Sequence, residues 1–189
     1  MKAAVLALGG VLLAGPMLAQ EGDPEAGRQI AGQCRTCHGL NGLAEIPVAP
    51  NIGGEPLDYL ATQLRAFRSG ARENEMMSVV AGSLSDQQIA DVTAWYAAQV
   101  PTATLMAEAG GAPELCSGCH GADGIAVAEG VPNLAGEANI YIETQLKAFR
   151  SGKRESAVMG PIAAELSDAD MRAAADWYAA VELEMAAPG

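Results

Sequence analysis

The chain has 189 residues, with 11 basic against 23 acidic side chains, a formal charge of -12 and a pI near 4.4. That balance excludes the basic surface on which nucleic-acid binders depend. Aromatic residues are only 4% of the chain, so a fold made of small domains must find core material elsewhere, for instance in a large embedded cofactor.

Residues 1–19 begin with Lys2, continue in an apolar run from Ala3 to Leu13 and end in small residues around Pro16 before Ala19. This is the layout of a secretory signal peptide, with the cut predicted after Ala19. The alternative is a retained anchor, but the run is shorter than the ~20 residues of a spanning helix. Gly9, Gly10, Gly15 and Pro16 also interrupt it. Cleavage removes Lys2 and no acid, taking the charge from -12 to -13. The mature product is expected to be soluble and outside the cytoplasm.

Next, Asp23 or Pro24 starts a short helix predicted through Ile30. Cys34-Arg35-Thr36-Cys37-His38-Gly39 follows, then Pro50 in a loop. Leu57, Tyr59, Leu60, Leu64 and Phe67 have the spacing of an apolar helix face, which Gly70 ends. Ser85 and Gln88 form a capping-box pattern before Ile89, Val92, Trp95 and Tyr96, and Pro101 is expected to stop that helix. Residues 101–106 read as a short linker.

Beyond the linker the pattern returns at an offset of 82 residues. Cys116-Ser117-Gly118-Cys119-His120-Gly121 repeats the cysteine motif. Thr144-Gln145-Leu146, Phe149-Arg150-Ser151-Gly152, Leu166-Ser167-Asp168 and Trp177-Tyr178-Ala179-Ala180 repeat their counterparts. About 30 of the 67 positions from Cys34 to Val100 match their partners without a gap. The sequence therefore predicts two tandem all-α domains, residues 20–101 and 102–189. Gly110, Gly111 and Pro113 should leave the second domain with a short or broken leading helix.

All four cysteines and both histidines of the chain fall inside the two Cys-x-x-Cys-His runs. This pattern reads as covalent haem attachment: Cys34 and Cys37, or Cys116 and Cys119, form thioethers, and His38 or His120 binds the iron. A structural zinc site needs four protein ligands, and each unit offers three. A thioredoxin-like pair expects a preceding strand, and no β-rich run is present. Simple disulfides leave the adjacent histidine unexplained.

Met77 and Met159 each lie 39 residues beyond their histidine and occupy the same place in the repeat. A methionine sulfur opposite histidine raises the potential and closes the iron to other ligands, which suits electron transfer rather than catalysis. Core filling is the alternative for any one methionine. Met76 is a competing candidate, but its counterpart is Val158, which cannot ligate. Pro50 and Pro132 are either turn prolines or suppliers of a carbonyl for the histidine Nδ1 proton. Arg68, Arg72, Arg150 and Arg154 are candidates for neutralising haem carboxylates. The Trp95-Tyr96 and Trp177-Tyr178 pairs read as core facing the cofactor.

With these residues assembled, the chain resembles the dihaem cytochromes c of the cytochrome c4 type, two class I cytochrome c domains in tandem. The resemblance runs from Asp23 to Val181. It rests on both cysteine motifs, the segments at 50–54 and 132–136, the Tyr-x-x-x-Gln-Leu-x-x-Phe runs at 59–67 and 141–149, and the methionines seven residues before Leu-Ser-Asp. It implies two covalent haem c groups, axial Met77 and Met159, carbonyl roles for Pro50 and Pro132, and a periplasmic location. The implied partners are a quinol-oxidising bc1 complex or a dehydrogenase as donor and a terminal oxidase as acceptor. Similar dihaem units also serve as cytochrome subunits of flavin-containing sulfide dehydrogenases. A dihaem peroxidase would need an open iron, which two methionine ligands argue against.

Overall fold

The computed structural model describes residues 21–106 and 111–188, and the predicted signal peptide lies outside them. Among the described residues the protein is mainly helical. The first unit contains α1 (Pro24–His38), α2 (Leu57–Ser69), α3 (Glu75–Gly82) and α4 (Asp86–Ala97), followed by β1 (Val100–Thr104). The second contains α5 (Glu114–His120), α6 (Asn139–Arg150), α7 (Met159–Glu165) and α8 (Asp168–Ala179), followed by β2 (Glu182–Ala186). None of these helices is long and apolar enough to cross a membrane.

α1 begins as its residues dictate. The Asp23 carboxylate accepts the Glu25 N–H, and Pro24 takes the first helical position, where its missing donor costs nothing. The expected end at Ile30 is too early: the helix runs through both cysteines to His38, and Gly39 ends it at φ 68°. The extension follows from packing, because Ile30, Ala31 and Cys34 continue one face against Leu60, Val92 and Tyr96. α1 crosses α4 closely at Gly27, where any Cβ would collide with the Asp91 carbonyl.

The Ser85–Gln88 capping box of α4 forms as the sequence suggests, and α8 has one of its own from Ser167 and Asp170. α4 stops at Ala97, before Pro101, and the Gly54 N–H takes the Tyr96 carbonyl at 2.8 Å. The leading helix of the second unit is indeed short, seven residues, with Gly111 lying against the Trp177 ring.

The segment expected to be a plain linker is instead β1, paired antiparallel with β2. Thr102 pairs with Glu184, its own equivalent in the repeat, while Val100 pairs with Ala186 and Thr104 with Glu182. Equivalent segments thus meet about a local twofold axis, the geometry of an isologous interface built within one chain. Each unit keeps its own core: Leu60, Val92 and Tyr96 in the first, and Ile142, Leu146, Met171 and Tyr178 in the second.

Candidate functional site: two histidine–methionine sites

His38 closes α1 and is 8% exposed; His120 closes α5 and is 9% exposed. The His38 Nδ1 lies 2.9 Å from the Pro50 carbonyl, and the His120 Nδ1 lies 2.8 Å from the Pro132 carbonyl. A carbonyl only accepts, so each Nδ1 carries the proton and each Nε2 keeps a lone pair. Burial pushes both imidazoles below their ordinary pKa, with the proline carbonyl acting in the opposite sense. The rings are therefore neutral at pH 7, as an iron ligand must be.

The proline loops are themselves braced. The Asn51 side-chain oxygen accepts the Ala44 N–H at 2.9 Å, and Asn133 accepts from Ala126 at the same distance. The Gly42 carbonyl receives the N–H groups of Ile52 and Gly53, and Gly124 receives those of Leu134 and Ala135.

The four cysteines are unbridged. Cys34 and Cys116 pack against the cores of their units, and burial pushes both thiols up from their usual pKa. A redox-active pair needs a stabilised thiolate, so this environment opposes the thioredoxin alternative. Among the described residues no three His, Cys, Asp or Glu side chains gather as a metal cage, which opposes a closed zinc site.

Met77 sits in the first turn of α3, where the Asn74 side chain accepts the N–H groups of Met76 and Met77 at 3.1 and 2.9 Å. Met159 opens α7, and the Ser156 hydroxyl accepts from Val158 and Met159 at 3.3 and 3.0 Å. Met76 and Val158 are 64% and 63% exposed, whereas Met77 and Met159 are half-buried. Asn74 and Ser156 escaped the sequence reading. The available signal was a short polar residue three places before each repeated methionine.

The Trp-Tyr pairs join the cores of their units and also pin the chain just beyond each histidine. The Tyr96 and Tyr178 hydroxyls donate to the Gly39 and Gly121 carbonyls at 3.2 and 3.0 Å. The Trp95 and Trp177 indoles donate to Leu40 and Ala122 at 2.7 and 2.9 Å.

The four candidate arginines divide into two pairs. Arg68 and Arg150 pair with Asp86 and Asp168 at the surface, at 2.5 and 2.8 Å. Arg72 and Arg154 face each other between the units, bound to the neutral groups Gln63, Gln145, Tyr59 and Tyr141. Neither has an acidic partner among the described residues, so both retain charge to offer an anionic group.

This donor set fits a covalently held haem in each unit: two thiols at the end of one helix, a neutral imidazole with a free Nε2 and a half-buried thioether at the start of another.

Comparison with known proteins agrees with that chemistry. Residues 112–181 match the family described as Cytochrome c, and residues 22–95 match Cytochrome C oxidase, cbb3-type, subunit III. The chain is 35% identical to the thiosulfate dehydrogenase electron acceptor of Thiomonas intermedia, covering 95% of this chain and 90% of that one. It is 34% identical to cytochrome c4 of Pseudomonas aeruginosa, covering 80% and 85%. Reduced recombinant cytochrome c4 from Pseudomonas stutzeri superimposes with a TM-score of 0.73 at 29% identity, covering 85% of this chain and 100% of that one.

Proposed function

The chain belongs to the cytochrome c4 family, and from that membership we propose that it carries single electrons between respiratory partners of the periplasm, accepting them from a quinol-oxidising complex or a dehydrogenase and delivering them to a terminal oxidase. It is an electron carrier and not an enzyme, with two covalent haem c groups.

The observation that carries the site assignment is the twofold recurrence of one arrangement. Each unit presents a histidine with its Nδ1 committed to a proline carbonyl and a half-buried methionine 39 residues later. In this reading Cys34, Cys37, Cys116 and Cys119 would form the thioethers, His38 and Met77 would hold the first iron, and His120 and Met159 the second. Each bound haem supplies a reversible one-electron iron couple. The protein's part is positional. Pro50 and Pro132 hold the imidazoles and raise their basicity, and Met77 and Met159 would supply the sulfur ligands. Arg72 and Arg154 offset carboxylate charge.

The proposed domains are residues 20–101 and 102–189 after removal of residues 1–19 as a signal peptide. The excess of acidic side chains favours partners with basic docking surfaces.

A second reading is supported by the name of the Thiomonas relative: this chain is the dedicated acceptor of a periplasmic dehydrogenase, with thiosulfate dehydrogenase the leading choice. Stopped-flow mixing of the mature protein with a thiosulfate dehydrogenase and, separately, with a terminal oxidase tests the two. Rapid oxidation by the oxidase supports the shuttle. Reduction by the dehydrogenase with no turnover by the oxidase replaces it with the dedicated acceptor.

A further inference from the structure

Glu55 is a buried carboxylate that the site described above does not use. It is 4% exposed and lies in the loop before α2, at the contact between the two units. Its partner belongs to the other unit: the Asn133 backbone N–H reaches Glu55 Oε1 and Oε2 at 3.1 and 3.0 Å. That N–H belongs to the same peptide group as the Pro132 carbonyl, which receives the His120 Nδ1 proton at 2.8 Å. One rigid peptide therefore separates the carboxylate of the first unit from the imidazole of the second.

We infer that Glu55 is a positioning residue for the second iron site, its carboxylate acting through the Pro132–Asn133 peptide to set how strongly His120 donates to the metal. The inference rests on the reading that His120 is the iron ligand. The physical route is hydrogen-bond polarisation. A charged acceptor on the peptide N–H makes the opposite carbonyl a stronger acceptor, and that carbonyl then draws the imidazole proton and raises the basicity of Nε2. A more basic ligand favours ferric iron, so an ionised Glu55 lowers the potential of the second site and a neutral one raises it.

Glu55 is also suited to change charge. Burial raises its pKa to about 8, against the opposing effect of the Asn133 N–H. An open crevice lined by Gly54, Pro56, Pro101, Ile125, Glu129 and Asn133 reaches it and gives water access. The charged groups facing it are Glu137 across the interface and Glu129 in the same crevice. Where Glu55 is ionised, reduction of the second site takes one electron from the redox partner and is accompanied by fractional uptake of a proton from water onto this carboxylate. Oxidation returns both.

The experiment is a potentiometric titration of the mature dihaem protein, following each haem through its own NMR resonances. It compares wild type with Glu55→Gln and with the control Glu129→Gln, which removes a charge from the crevice but not from the peptide. Haem content and methionine ligation are measured first, because their failure refutes the haem-ligand reading rather than the Glu55 role. Glu55→Gln is expected to raise the reduced-to-oxidised ratio of the second haem about tenfold at fixed potential and high pH, about 59 mV for one electron. The first haem and Glu129→Gln should stay near wild type. In wild type the second potential should fall as pH rises through the Glu55 titration, with the Asn133 amide resonance moving in step; this arm decides the matter should the variant fold poorly. Equal shifts at both haems, a control shift as large as that of Glu55→Gln, or a pH-independent second potential would overturn the inference.

Discussion

Arg72 and Arg154 hold the same position in the repeat and meet across the twofold axis through a backbone bridge. Arg72 reaches Gln63 in its own unit and Gln145 in the other, at 2.6 and 2.8 Å. Arg154 reaches Gln145 and Gln63, at 2.8 and 3.1 Å. Each guanidinium also lies 4.5 Å above a phenylalanine ring of its own unit, Phe67 or Phe149.

Because four side chains share these bonds, Arg72→Ala and Arg154→Ala should each cost roughly 1–3 kcal/mol, and the double variant less than their sum. Denaturant unfolding of the mature protein, read separately for each haem, checks this. The variants should split one transition into two, and strictly additive losses with a single transition would contradict a shared interface.

Glu55 predicts a definite sign for the pH dependence of stability. Its carboxyl is raised from 4.5 to about 8 in the folded chain, so between those values the native state binds more protons than the unfolded state. The associated stability is complete below about 4.5 and is lost as pH rises through about 8. The change should be on the order of a few kcal/mol, at about 1.4 per pKa unit. Glu55→Gln should flatten the decline in a series of urea titrations. Wild-type stability that climbs from pH 5 to 8, or an unchanged slope in the variant, would refute the assignment.

The tyrosine hydroxyls should contribute to stability. Tyr96→Phe and Tyr178→Phe each remove one buried bond to the carbonyl after the histidine. Each should lower stability by about 1–3 kcal/mol, with the larger loss in Tyr96→Phe, because the Gly121 carbonyl keeps the Gly124 N–H at 3.4 Å. Calorimetry on the holoprotein measures this, and stability equal to wild type would mean that the carbonyl finds another partner.

With a formal charge of -12, encounter with a basic redox partner should slow as ionic strength rises. A bimolecular rate that is flat from low to physiological salt would remove electrostatic docking from the account.

Much of this was legible in the sequence because the repeat tests itself. Cys-x-x-Cys-His fixes chemistry through residue type, and the 82-residue offset selects Met77 over Met76 because Val158 cannot ligate. The contrasting exposures of Met76 and Met77 are consistent with that choice. What stayed hidden depends on tertiary context. α3 is eight residues long and held by the Asn74 cap, too short to display a helical period. β1 looks like a linker because its partner strand lies 82 residues further on. The division of the arginines follows from where Asp86 and Asp168 fall in space, and the Glu55–Asn133 bond crosses between units.

The most direct test of the central claim is near-infrared magnetic circular dichroism of the ferric mature protein, comparing wild type with Met77→Ala, Met159→Ala and Met76→Ala. Wild type should show the sulfur-to-iron band of methionine ligation at two haems. Each of the first two variants should lose half of that intensity, with a lowered potential at one haem only, and Met76→Ala should match wild type. A full band in Met77→Ala together with a halved one in Met76→Ala would contradict the assignment.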